Sequence, residues 1–167
     1  MSTPRGPVPG GPPPRGAAPG VGDVAPGFCL AGTGARTYCL ADERDGALVL
    51  VFYPADGTPV CTQQLRSYNE DLSAFGALGA TVWCLSPQDV GSHERFAADQ
   101  GLSLPLLADV GKAVGAAYGI LGPLGFYRRS IFVVDPGGTI RFARRSLTSM
   151  TYVSADRLLQ AVASTTG

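Results

Sequence analysis

The sequence predicts an α/β sandwich with a mixed sheet, on three observations. Short strand-like apolar runs alternate with segments of helical period. The strongest of these runs has no polar interruption, as in a strand covered on both faces. A late Pro-Gly-Gly turn joins two strand-like segments into a hairpin.

In chain order, GDVAPGFCL and ARTYCL read as two short strands separated by the turn-rich AGTG. Residues 47–53 (ALVLVFY) are the candidate for the sheet centre. From Pro59 onward Leu65, Tyr68, Leu72, Phe75 and Leu78 recur at spacings of three and four, predicting one long helix that ends at Gly79. ATVWCLS reads as a second buried strand, SHERFAADQG as a helix capped by Ser92, and LPLLAD as a short strand. KAVGAAYG is helical in pattern though weakened by glycine. RSIFVVD and TIRFAR form an antiparallel pair, and SADRLLQAVA closes the chain as a helix starting at Ser154.

Composition excludes several function classes. With 167 residues, 45% apolar and 16% charged, the chain can bury one sizeable core. Thirteen basic residues balance thirteen acidic ones, so no overall field recruits nucleic acid or an anionic membrane. The first 22 residues carry seven prolines and six glycines and read as a disordered tail, leaving 23–167 as a single domain. That tail has no continuous apolar core for a signal peptide, and no later run would span a bilayer, so the expected location is cytoplasmic. Four cysteines, Cys29, Cys39, Cys61 and Cys84, are too few and scattered for a disulfide scaffold, and no C-x-x-C pair suggests zinc or a dithiol oxidoreductase.

The chemistry points to FYPADGTPVCT, where a strand runs through a turn into a helix. Thr58 followed by Pro59 is the order of an N-cap and first helical residue, so Cys61 falls at the third helical position. First-turn N–H groups lack intrahelical acceptors and the helix dipole adds positive charge, which favours a thiolate. A helix end contributes roughly 0.3–1 kcal/mol at exposed sites and about 2 kcal/mol at best, so it moves an ordinary thiol by only about one pKa unit. A nearby cation is therefore required. The best candidates are Arg128 and Arg129, of which only one can face the sulfur because adjacent strand residues point to opposite sides.

Pro54-x-x-x-Thr58-x-x-Cys61 resembles the signature of the peroxiredoxins, and FYPADGTPVCT resembles the Q-type group that includes bacterioferritin comigratory protein. The resemblance runs from about Gly22 to the C-terminal helix and includes GDVAPGF, VWCLSPQ, RFAADQGLSLPLLAD and RSIFVVDPGGTIRF. It implies a thioredoxin-like fold with a central mixed sheet flanked by helices. It also implies a thiol-dependent peroxidase acting on hydrogen peroxide and organic hydroperoxides. Cys61 would attack the peroxide and become a sulfenic acid, and Arg129, selected by the family's late arginine motif, would stabilise the thiolate. Thr58 would align the peroxide, Pro54 would shield the sulfenate, and the Val60 and Cys61 amides would add donors. No metal or organic cofactor is implied; the reductant would be thioredoxin, glutaredoxin or a low-molecular-weight thiol.

The chain departs from the group at the resolving cysteine, five residues after the first, where Arg66 stands. One-cysteine turnover with an external thiol is therefore expected. Cys84 is weighed as a resolving residue, but its place in ATVWCLS reads as core packing. Cys29 and Cys39 could pair with one another and are expected mainly to fill space. His93, the only histidine, is expected to be solvated. The rival expectation is a non-enzymatic redox sensor or binding protein on the same fold. The family includes monomers and dimers, leaving oligomeric state open.

Overall fold

The computed structural model describes residues 18–43, 45–146 and 151–166. A seven-stranded mixed sheet is formed by β1 (Cys29–Gly32), β2 (Arg36–Cys39), β3 (Leu48–Phe52), β4 (Thr81–Ser86), β5 (Leu106–Ala108), β6 (Ser130–Val134) and β7 (Ile140–Arg145). Its order is β2-β1-β5-β4-β3-β6-β7. β3, β4 and β5 run parallel, while β6 is antiparallel to β3 and the β1–β2 and β6–β7 hairpins occupy the two edges.

β3 is buried at every position, and its side chains divide by the two-residue period of a strand. Val49, Val51 and Tyr53 enter one core with Leu65 and Tyr68 of helix α1 (Pro59–Glu70), Phe75 of α2 (Leu72–Ala77), Phe96 of α3 (Val90–Gln100) and Leu158 of α5 (Ala155–Thr166). Leu48, Leu50 and Phe52 face the other core, where Trp83, Tyr118, Phe132 and Val114 of α4 (Ala113–Ala117) pack. The hydrophobic run that marks β3 thus serves two layers at once, which is why it lacks the alternation of a half-exposed strand.

Two expected helices differ in detail. The apolar stripe of residues 65–78 is continuous, but the backbone breaks at Asp71, so it is carried by α1 and α2 in succession. The spacing of three and four survives a one-residue break, which periodicity alone does not register. α3 begins earlier than expected: its N-cap is Asp89, whose carboxylate accepts from the Ser92 N–H, so Ser92 lies inside the first turn.

Of the segment 1–22 read as a tail, residues 1–17 lie outside the described residues. The backbone of Gly22 donates to Ile140, and Arg145 donates to the Pro19 carbonyl. No helix among the described residues is long and apolar enough to cross a membrane.

Candidate functional site

β3 ends at Phe52, its partner β4 at Ser86, and antiparallel β6 begins at Ser130 opposite Phe52. These ends meet at one edge of the sheet, and the chain leaves β3 there through Pro54 and Gly57 into α1. Gly57 adopts φ +81°, a left-handed turn conformation suited to glycine. Thr58 is the N-cap and Pro59 the first helical residue, as the sequence order requires. Thr58 makes no side-chain capping bond; its carbonyl accepts from Thr62, the first residue able to close the helical ladder. The Val60 and Cys61 amides precede that bond, at the electropositive end of the helix.

Cys61 is buried, with 1% of its surface exposed. Arg129, equally buried, donates from Nη2 to the Cys61 Sγ at 3.3 Å. Its Nη1 donates to Oε1 of Gln64, which donates from Nε2 to the Tyr68 hydroxyl at 3.2 Å, and that hydroxyl donates to the Val153 carbonyl. Gln64 and Tyr68 lie three and seven residues beyond Cys61, on one face of α1, so the helical period could have revealed both as supports for the guanidinium. Arg128 points away and donates from Nε to the Ser146 carbonyl. One arginine of the pair therefore reaches the sulfur, and it is Arg129.

Asp56 anchors the loop before Cys61. Its backbone N–H donates to Gln88, Oδ1 accepts from the Tyr53 hydroxyl at 2.6 Å, and Oδ2 accepts from Ser92 Oγ at 2.7 Å. His93 completes this set and corrects the expectation that it is solvated: it is fully buried, with Nδ1 2.8 Å from Asp56 Oδ2 and Nε2 3.0 Å from the Leu107 carbonyl. Both ring nitrogens are thus held by partners within the protein. Nothing near His93 in sequence signals this role, because its partner lies 37 residues earlier. Burial alone would raise the Asp56 pKa, but hydrogen bonds from His93, Tyr53 and Ser92, with the His93 charge, hold it below its ordinary value.

This sets a sign for pH dependence. A depressed carboxyl contributes stability that is complete above its unfolded value, about 4, and is lost as pH falls through the folded value. Asp56→Asn is expected to lower unfolding free energy by about 2 kcal/mol at pH 7, the scale of a charge-assisted hydrogen bond, with the gap to wild type closing below pH 4. Denaturant titrations at several pH values check this, and a gap that stays constant down to pH 3 would contradict it.

Of the other cysteines, one is free and two are bonded to each other. Cys84 lies fully buried in β4 beside Val82, as its strand pattern suggests, and burial pushes its thiol far above the ordinary range. Cys29 and Cys39 do more than fill space: they form a disulfide across the β1–β2 hairpin. Arg66 is exposed beside an open groove lined by Thr62, Gln63 and Glu70. Among the described residues no cluster of His, Cys, Asp and Glu is arranged to hold a metal ion.

Residues 21–143 match the AhpC/TSA family. A protein of Mycobacterium tuberculosis assigned to the peroxiredoxins is 34% identical over 140 residues, which span 80% of this chain and 89% of that protein. Chloroplastic peroxiredoxin Q of Arabidopsis thaliana is 34% identical over 122 residues, 72% of this chain and 56% of that protein. The fold is shared with two solved structures. One is the bacterioferritin comigratory protein of Xanthomonas campestris, studied for its alkyl peroxide reduction activity, with TM-score 0.77, 28% identity, and 84% of this chain and 92% of that one covered. The other is peroxiredoxin Q of Xylella fastidiosa, with TM-score 0.83, 27% identity, and 91% and 100% covered.

Proposed function

The chain belongs to the AhpC/TSA family and is a thiol-dependent peroxidase, a peroxiredoxin with a thioredoxin-like fold, and on that premise we propose that Cys61 is its peroxidatic residue. The observation that carries the assignment is the Arg129 Nη2 contact to the Cys61 Sγ at 3.3 Å, made at the first turn of α1. Cys61 thiolate attacks the nearer peroxide oxygen. The S–O bond forms as the O–O bond breaks, and the leaving oxygen takes a proton to depart as water or alcohol, leaving a sulfenic acid. Arg129 holds negative charge first on sulfur and then on the parting oxygens, with the Val60 and Cys61 amides as further donors. Thr58 aligns the peroxide with the sulfur, and Pro54 shields the sulfenate.

The reducing thiol comes from outside the chain. Arg66 occupies the position where a resolving cysteine would stand, Cys84 is locked in the core, and Cys29 and Cys39 are bonded to each other. A first thiol condenses with the sulfenic acid to a mixed disulfide and water, and a second restores the Cys61 thiol. Hydrogen peroxide and organic hydroperoxides are the substrates, and thioredoxin, glutaredoxin or a low-molecular-weight thiol is the reductant. Residues 23–167 act as one domain, in the cytoplasm, as a monomer or homodimer.

Cys84→Ala tests this economy. It is expected to leave thiol-supported peroxide turnover within about twofold of wild type while costing roughly 1–2 kcal/mol of stability from the cavity. A tenfold loss of turnover in the folded variant would mean that Cys84 resolves the sulfenic acid.

A further inference from the structure

The Cys29–Cys39 disulfide has no part in the peroxide site, yet its placement is that of a reversible couple. Cys29 and Cys39 are directly opposed in the β1–β2 register. Their neighbours Phe28 and Leu40 share a ladder hydrogen bond, from the Leu40 N–H to the Phe28 carbonyl. Opposed pairs alternate between bonded and non-bonded positions, so the cysteines occupy a non-hydrogen-bonded pair, where side chains approach closest. Their Cα atoms are 4.0 Å apart. The ladder holds the two thiols side by side when the bond is broken, so the bond can re-form without rearranging the hairpin. Cys29 is exposed, which gives an incoming thiol access to one sulfur.

In the folded conformation this pair lies away from the β3 end of the sheet that leads to Cys61. Two strands, β5 and β4, separate β1 from β3, a lateral gap of about 14 Å at ordinary strand spacing, whereas a disulfide formed without backbone movement needs Cα atoms within about 7 Å. Between two molecules no such limit applies.

Taking Cys61 as the peroxidatic residue, we infer that the reduced Cys29–Cys39 pair of one molecule resolves the Cys61 sulfenic acid of another. Cys29 thiolate attacks the Cys61 sulfur; a Cys61–Cys29 disulfide forms and the sulfenic oxygen leaves, protonated, as water. Cys39 thiolate then attacks the Cys29 sulfur, expelling Cys61 as thiolate and closing the Cys29–Cys39 bond seen in the structure. The hairpin has lost two electrons and Cys61 has regained them, and an external dithiol or two monothiols reduce the hairpin for the next cycle. The buried Cys61 is reached by opening the first turn of α1, which no Thr58 side-chain bond secures.

The test treats fully reduced full-length protein with one equivalent of hydrogen peroxide, blocks free thiols by alkylation, and maps all four cysteines by mass spectrometry. Wild type is expected to end with Cys29–Cys39 oxidised and Cys61 alkylated, at a rate that rises with protein concentration. In Cys61→Ser the hairpin pair should stay reduced over the same interval, and Cys39→Ser should accumulate a Cys61–Cys29 dimer on a non-reducing gel. A persistent Cys61 sulfenic acid beside a reduced hairpin would overturn the hairpin's role and leave the peroxidatic assignment standing. Equal hairpin oxidation in Cys61→Ser would also overturn it. A Cys61 untouched by peroxide would overturn both.

Discussion

Serine in place of Cys61 is expected to lower thiol-supported peroxide consumption by roughly 10⁴-fold or more, because the reaction needs a nucleophile that is ionised near neutral pH. A serine hydroxyl at the same helical position keeps the shape of the side chain but not the polarisable thiolate, and its oxygen cannot accept the peroxide oxygen as a sulfenic acid. The fold should survive, since Leu65, Tyr68 and the β3 side chains carry the surrounding core. Circular dichroism and denaturant unfolding close to wild type would show that chemistry alone was lost. Substantial residual turnover in the folded variant would place the peroxidatic sulfur elsewhere.

Arg129→Gln should reduce the rate constant for reaction with peroxide by roughly 10²–10³-fold, the scale measured when one donor to a developing charge is removed. Glutamine is neutral and shorter than arginine, so the Cys61 Sγ loses its cationic partner and Gln64 loses a donor. Arg128→Gln is the control. Arg128 sits one residue away and carries the same charge, but it is directed at the Ser146 carbonyl and makes no contact with the sulfur, so its loss should change the rate by less than about threefold. Competition kinetics with a reference peroxidase measures both. Equal losses in the two variants would mean that general positive charge, rather than the contact to sulfur, sustains the reaction.

Much of this site was legible before any coordinates. Thr58, Pro59 and Cys61 stand in an order that helix capping explains, and strand alternation narrowed the cation to one of two arginines. The motif resemblance then named Arg129. The sheet was legible for a similar reason: residues 48–52 and 82–85 are apolar throughout because both faces are covered. What escaped depends on pairing across long stretches of chain. His93 looks like any polar residue early in a helix until the fold brings it to Asp56. Cys29 and Cys39 look like space-fillers until the hairpin register sets them opposite one another. The break at Asp71 escaped because the apolar stripe continues across it.

The buried Asp56–His93 pair also explains how a loop with glycine and proline holds a defined geometry. The loop is tied to the β4–α3 connection through Gln88 and to α3 through Ser92 and His93, so the first turn of α1 starts from a fixed point. The reactive sulfur inherits that position.

The most direct measurement treats the reduced protein with one equivalent of hydrogen peroxide in the presence of a sulfenic-acid trap and reads the adduct by mass spectrometry. The trap is expected on Cys61, at early times and in wild type but not in Cys61→Ser, with no Cys61–Cys84 disulfide. A trap found on another cysteine, or a Cys61 that stays a thiol while peroxide is consumed, would contradict the assignment of Cys61 as the peroxidatic residue.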